Sequence, residues 1–210
     1  MNWVDIVLFV LLLAMVIVGS KKGLVRELMA FLVFLIAIVV SVNYIDRFAV
    51  WVYEKVGGSP LVAAFLSFAV LIALSYAAFK LMGMVFYKVA NIKSIGKKDQ
   101  MGGALIGFLR GWLLVGFVTL LLFLLPMPAS FYTAFEQSFF GPMVAKTVPL
   151  VFEGTAPVHP RNRTFIAKIE TALLTAQTSN KKTTDAQRSE VYEVLHRMRR
   201  FFATSDPAQP

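Results

Sequence analysis

The chain has 210 residues, 58% of them hydrophobic, with a formal net charge of +9 and a mean hydropathy of +0.69. Soluble domains run at about 45–50% apolar, so the composition is that of a membrane protein, with the excess gathered in residues 1–126. The lack of cysteine excludes disulfides, thiol catalysis and iron–sulfur clusters, and no basic face interleaved with aromatics supports nucleic-acid binding.

Residues 3–19 form the first apolar run. No basic residue precedes it, Lys21 and Lys22 follow it, and no small-x-small cleavage site closes it. It therefore reads as a retained transmembrane helix and not as a signal peptide. Asp5 falls in its first turn, where the plainest reading is a solvated acid at the positive end of the helix dipole. A tight basic connection leads to a second span over 24–45. That span opens on Arg26 and Glu27, both within a turn of the interface and within snorkelling reach. Gly19 and Gly23 stand four apart at this joint. Residues 46–59 read as a short polar loop, and Pro60 suits the first turn of the next helix.

The third span, 61–86, carries Ala69, Ala73 and Ala77 on one face. Lys80 stands about 30 Å from its start, which predicts an anchor snorkelling at the far interface. Residues 87–98 read as a loop with Lys88, Lys93, Lys97 and Lys98. Residues 95–98 look superficially like a phosphate loop, but Asn91 replaces its first glycine and Lys98 its Ser/Thr.

The fourth span, 102–125, carries Gly103, Gly107 and Gly111 at four-residue spacing. One helix face is thus stripped of side chains, so another helix can approach backbone to backbone. The alanine face of the third span is the natural counterpart within one chain; packing between copies is the other reading. Arg110 lies beside the glycines at membrane depth, where an unanswered arginine costs at least about 2.5–3.5 kcal/mol. Glu27 is the only acidic side chain inside the spans at that depth, and it is the predicted partner. Such a pair is either structural or part of a proton or substrate path.

Pro126 and Pro128 close this span. Phe131, Phe135 and Phe139, with Tyr132, predict a short amphipathic helix at the membrane surface. Residues 143–152 contain Pro149 and are too short to span, so 127–152 reads as interfacial helices. A linker over 153–162 leads to two soluble helices, about 163–177 and 185–203, and a disordered end. Val191, Val194, Leu195, Met198 and Phe202 recur at helical spacing in the second, which Thr184 caps. The fold class is therefore all-α: a polytopic membrane protein with four transmembrane helices over 1–126 and a C-terminal helical extension.

Lys21, Lys22 and Arg26 in the first connection, and Lys88, Lys93, Lys97 and Lys98 in the third, outweigh the balanced charges of the second. The positive-inside rule puts the first and third connections in the cytoplasm and both termini outside, in the periplasm of a Gram-negative cell.

Three segments together resemble a known family. They are residues 1–7 (Met-Asn-Trp-Val-Asp-Ile-Val), the run Gly19-x-x-Lys22-Gly23-Leu-Val-Arg26-Glu27, and Asp99-x-x-x-Gly103-x-x-x-Gly107-x-x-Arg110-Gly111. They are similar to the CvpA family, the colicin V production proteins, over roughly residues 1–150, with Ser138 also matching. The resemblance implies a four-span inner-membrane protein needed for production or export of a peptide toxin and linked to envelope homeostasis, bile-salt tolerance and biofilm. Similar membrane domains occur fused to periplasmic serine proteases, in keeping with an external C-terminus. The family transfers no catalytic residue.

The expected function is a non-enzymatic membrane protein that works through the lipid bilayer and a protein partner, either a second copy or an envelope or secretion protein. A small oligomeric transporter or channel is the alternative. An enzyme is disfavoured: no H-E-x-x-H, G-x-S-x-G or carboxylate cluster occurs, and His159 and His196 are isolated. No metal or cofactor is implied.

Overall fold

The computed structural model describes residues 2–90, 96–158, 164–179 and 184–204. Lys93, His159, Arg163 and, of the seven-residue chain end expected to be disordered, residues 205–210 lie outside the described residues. Four helices are long and apolar enough to cross a membrane. They are α1 (Trp3–Lys22), α2 (Leu24–Val56), α3 (Pro60–Ala90) and α4 (Lys97–Phe123). Among the described residues there is no strand, so the molecule is an all-α polytopic membrane protein.

The joint between α1 and α2 is a single residue. Gly23 has φ +81, a conformation that glycine reaches without steric cost, and its N–H bonds the Gly19 carbonyl. The expected polar loop at 46–59 is mostly helix instead. Ile45, Ala49, Val52 and Tyr53 are buried at helical spacing, so the charged residues between them decorate an amphipathic continuation. The helix stops only at Gly57, with φ +72. At 33 residues α2 is about 50 Å long, well beyond the bilayer core.

The long helices stand in the order α1, α4, α2, α3, with α1 packed chiefly on α4 and α3 chiefly on α2. Phe117 of α4 meets Phe34 of α2 and Phe68 of α3 edge-on, and Tyr76 of α3 meets Phe34 at 6.3 Å. Lys80 is one turn beyond Tyr76 and exposed, near the C-terminal end of the apolar stretch Pro60–Leu81.

Beyond α4 come α5 (Ala129–Glu136), α6 (Gly141–Ala145) and α7 (Thr147–Gly154). The α5 helix crosses the start of α1, where the Asn2 amide donates to the Ala134 carbonyl and Trp3 meets Phe131. The α6–α7 pair packs back against α4. Trp112 Nε1 donates to Thr147 Oγ1 at 2.8 Å, and a Cβ on Gly116 would stand 3.0 Å from Val144 and Thr147 atoms. Trp112 lies eleven residues before the end of α4, about 16 Å along its axis. Phe139, Met143 and Leu150 are exposed on the outside of the 139–150 stretch.

The last helices, α8 (Phe165–Ser179) and α9 (Asp185–Phe202), are not a separate soluble tail. Phe165, Ile169, Leu173, Met198 and Phe202 share one core with Ile45, Phe68 and Phe123. Phe123 sits within 6 Å of the Phe131, Tyr132, Phe135, Phe201 and Phe202 rings. Lys168, only 3% exposed, reaches Asp46 Oδ2 at 3.1 Å and the Asn43 carbonyl at 2.9 Å. This buried bridge fastens α8 to the overshoot of α2. Thr184 caps α9 through a capping box with Gln187.

Candidate functional site

The residues singled out in the sequence gather along α4. Its glycine ridge packs on α1, not on the alanines of α3, which corrects the expected pairing. A Cβ on Gly107 would lie 2.6 Å from the Met15 carbonyl oxygen and 2.9 Å from Gly19 Cα. One on Gly103 would lie 2.8 Å from the Gly23 carbonyl carbon, and one on Gly111 2.7 Å from Met15 Cβ. Gly19 would collide in turn with the Gly103 carbonyl oxygen. Glycine against glycine brings backbones closer than glycine against alanine, because an alanine keeps its Cβ in the seam. Ala69 is half-buried, and Ala73 and Ala77 are exposed on α3.

The charges follow the same seam. Glu27 is fully buried and Arg110 is 9% exposed. Arg110 Nε stands 2.7 Å from Glu27 Oε1, and Lys22 Nζ is 4.0 Å from Oε2. Neither carboxylate oxygen accepts an aligned hydrogen bond, so the pair is held by charge and proximity. Arg110 Nη2 adds a contact of 3.8 Å to Met15 Sδ. Arg26 is exposed beside them. Arg110 also floors a groove of about 320 Å³ whose walls are Met15, Phe34, Ile72, Ala73, Tyr76 and Leu114.

Two aspartates latch the ends of the seam. Asp99, in the first turn of α4, accepts from the Leu24 N–H at 2.9 Å and so caps α2 across the joint. Asp5 is not a solvated acid: its two oxygens accept from the Phe139 and Phe140 N–H groups at 3.1 Å each, at the entry to α6. Ser138 completes that entry by accepting from the Gly141 N–H at 2.7 Å. Asp99→Ala is expected to destabilise the protein by about 0.5–2 kcal/mol, the range for a lost cap. A thermal melt in detergent measures it, with Asp99→Asn retaining most of the stability.

A model of the colicin V production protein family matches residues 4–149. The chain belongs to the colicin V production protein family. Neither a curated protein nor a solved structure matches it. The family match runs from α1 to the first turn of α7, so both latches, the glycine seam and the Glu27–Arg110 pair lie within the matched region. The helices α8 and α9 lie outside it.

Several contacts had no legible sign in the sequence. Met15 is one apolar residue among many in α1, yet it closes the seam opposite Gly107 and Gly111. Gly116 breaks the four-residue spacing, which marks it as facing a different neighbour, the α6–α7 pair. Among the described residues no group of His, Asp and Glu is placed to hold a metal. His196 is exposed on α9.

Proposed function

We propose that this family member is a non-enzymatic inner-membrane scaffold that supports toxin production or export and envelope homeostasis through protein partners. One observation carries the reading: the family-motif residues Gly19, Gly23, Glu27, Asp99, Gly103, Gly107 and Arg110 are spent on packing and latching α1, α2 and α4 together. The reading places the first and third connections in the cytoplasm and both termini, with α5–α9, in the periplasm. An alkaline phosphatase fusion after Ala203 is then active, and a fluorescent cytoplasmic fusion there overturns the orientation. The function is tested by deletion in a toxin-producing host. Loss of toxin release and bile-salt tolerance, restored by the full-length chain, supports it; an unchanged host overturns it.

The groove floored by Arg110 favours a second reading, a small oligomeric transporter. Solute flux in proteoliposomes that depends on Arg110 supports that reading, and sealed vesicles support the scaffold.

A further inference from the structure

Arg110 carries donors that the fold leaves without an oxygen. It is 9% exposed and stands thirteen residues, about 20 Å, from either end of α4. A guanidinium presents five N–H donors in a flat fork, and a thioether sulfur is a weak acceptor. Arg110 Nε lies 2.7 Å from Glu27 Oε1, and Nη2 contacts Met15 Sδ at 3.8 Å. Among the described residues neither Nη nitrogen hydrogen-bonds an oxygen. Charge is uneven there as well: the single Glu27 carboxylate faces two cations, Arg110 and, at 4.0 Å, Lys22.

The same side chain floors the groove of about 320 Å³, whose remaining walls are apolar apart from the Tyr76 hydroxyl. The groove takes Met15 from α1, Phe34 from α2, Ala73 and Tyr76 from α3, and Leu114 from α4. Each of these residues belongs to a stretch long and apolar enough to cross a membrane. On α4, Arg110 and Leu114 are one turn apart. Trp112 and Gly116, which meet Thr147 and Val144, stand two residues from them, roughly 200° round the helix. The α6–α7 pair therefore covers the other side of α4, and the groove stays open on this one.

We propose that the groove binds a fatty acid, with its carboxylate on the free edge of Arg110 and its single chain along Phe34, Tyr76 and Leu114. A carboxylate accepts two N–H groups of one guanidinium together, and it brings the local charges to two of each sign. A carboxylic acid reaches this depth by taking up a proton on the way in, which removes most of the cost of carrying charge into hydrocarbon. The phosphodiester of a phospholipid stays ionised near neutral pH and has no such route. The volume agrees: about 320 Å³ is at the lower end of small-ligand pockets, roughly 300–1,000 Å³, and suits one chain and not two. The inference goes beyond both readings above, since it requires neither a protein partner nor flux.

The test uses the full-length protein in phosphatidylcholine nanodiscs, with radiolabelled palmitate and with hexadecanol, which has the same chain length and no carboxylate. Palmitate is expected to bind about tenfold or more tighter than hexadecanol, the contrast of a charge-assisted hydrogen bond with a neutral one. The contrast disappears when Arg110→Met is combined with Glu27→Leu, which removes both charges of the pair. Ala73→Phe, at an exposed position that lines the groove, leaves the pair intact and weakens both ligands alike. Equal binding of the two ligands overturns the proposal, as does a contrast that survives the double substitution, which places the carboxylate on the exposed basic residues. Displacement of palmitate by an equal amount of phosphatidylglycerol, or unaltered binding in Ala73→Phe, overturns it too. The host assay is separate: toxin release that requires the protein, without the palmitate contrast, overturns this inference and leaves the scaffold reading standing.

Discussion

Replacing Gly107 by isoleucine is expected to abolish accumulation of the protein in the membrane. The added Cβ alone would stand 2.6 Å from the Met15 carbonyl oxygen and 2.9 Å from Gly19 Cα, both backbone atoms of α1. No side-chain rotation relieves a collision with backbone, so α1 and α4 must separate along their whole shared face. Overpacking costs about 1–3 kcal/mol where side chains give way, and more where they do not. Separation also breaks what the seam aligns: the Asp99 cap on α2, the Asp5 bonds to the α6 entry and the Arg110 contact to Met15. Gly96→Ala is the control, since a Cβ at Gly96 meets nothing within 4 Å. Immunoblots of membrane fractions measure both variants. Gly107→Ile at the wild-type level, in a protein with an unchanged melting temperature, removes the seam from the account of stability.

The same seam shows what a sequence discloses and what it hides. The spacing of Gly103, Gly107 and Gly111 announces a bare helix face, because period and side-chain volume are written in the letters. The occupant is not, since Ala69, Ala73 and Ala77 repeat the same spacing and look equally suitable. The choice falls to geometry: Gly19 and Gly23 permit backbone contact on both sides, which no alanine does. The extent of α2 was hidden for a different reason. Asp46, Arg47, Glu54 and Lys55 make the segment polar on average, and only the buried set reveals its inner faces: Ile45 and Ala49 share a core with α8, and Val52 and Tyr53 cluster with Ala63 of α3. Lys168 illustrates the limit most sharply. A lysine on an amphipathic helix reads as solvated, and its burial against Asp46 and Asn43 depends on a contact across more than a hundred residues.

The buried charges give the second large effect. Glu27→Leu is expected to destabilise the protein by about 3–5 kcal/mol, because it strands Arg110 in the bundle with the Met15 sulfur as its nearest polar contact. Arg110→Met is expected to cost less, since Glu27 keeps Lys22 at 4.0 Å. Combining Glu27→Leu with Arg110→Met removes both charges and leaves apolar groups of similar volume, so it should recover to within about 1 kcal/mol of the parent. Thermal unfolding of the purified variants measures this cycle, and strict additivity of the two single losses shows that the charges do not act as a pair. The double variant also separates the two functional readings. A scaffold needs only the fold, so a stable, charge-free protein should sustain toxin release as the parent does. A transporter that routes protons or solute past Arg110 should lose its flux while remaining folded. The two outcomes differ because the pair can be subtracted from the chemistry without being subtracted from the packing.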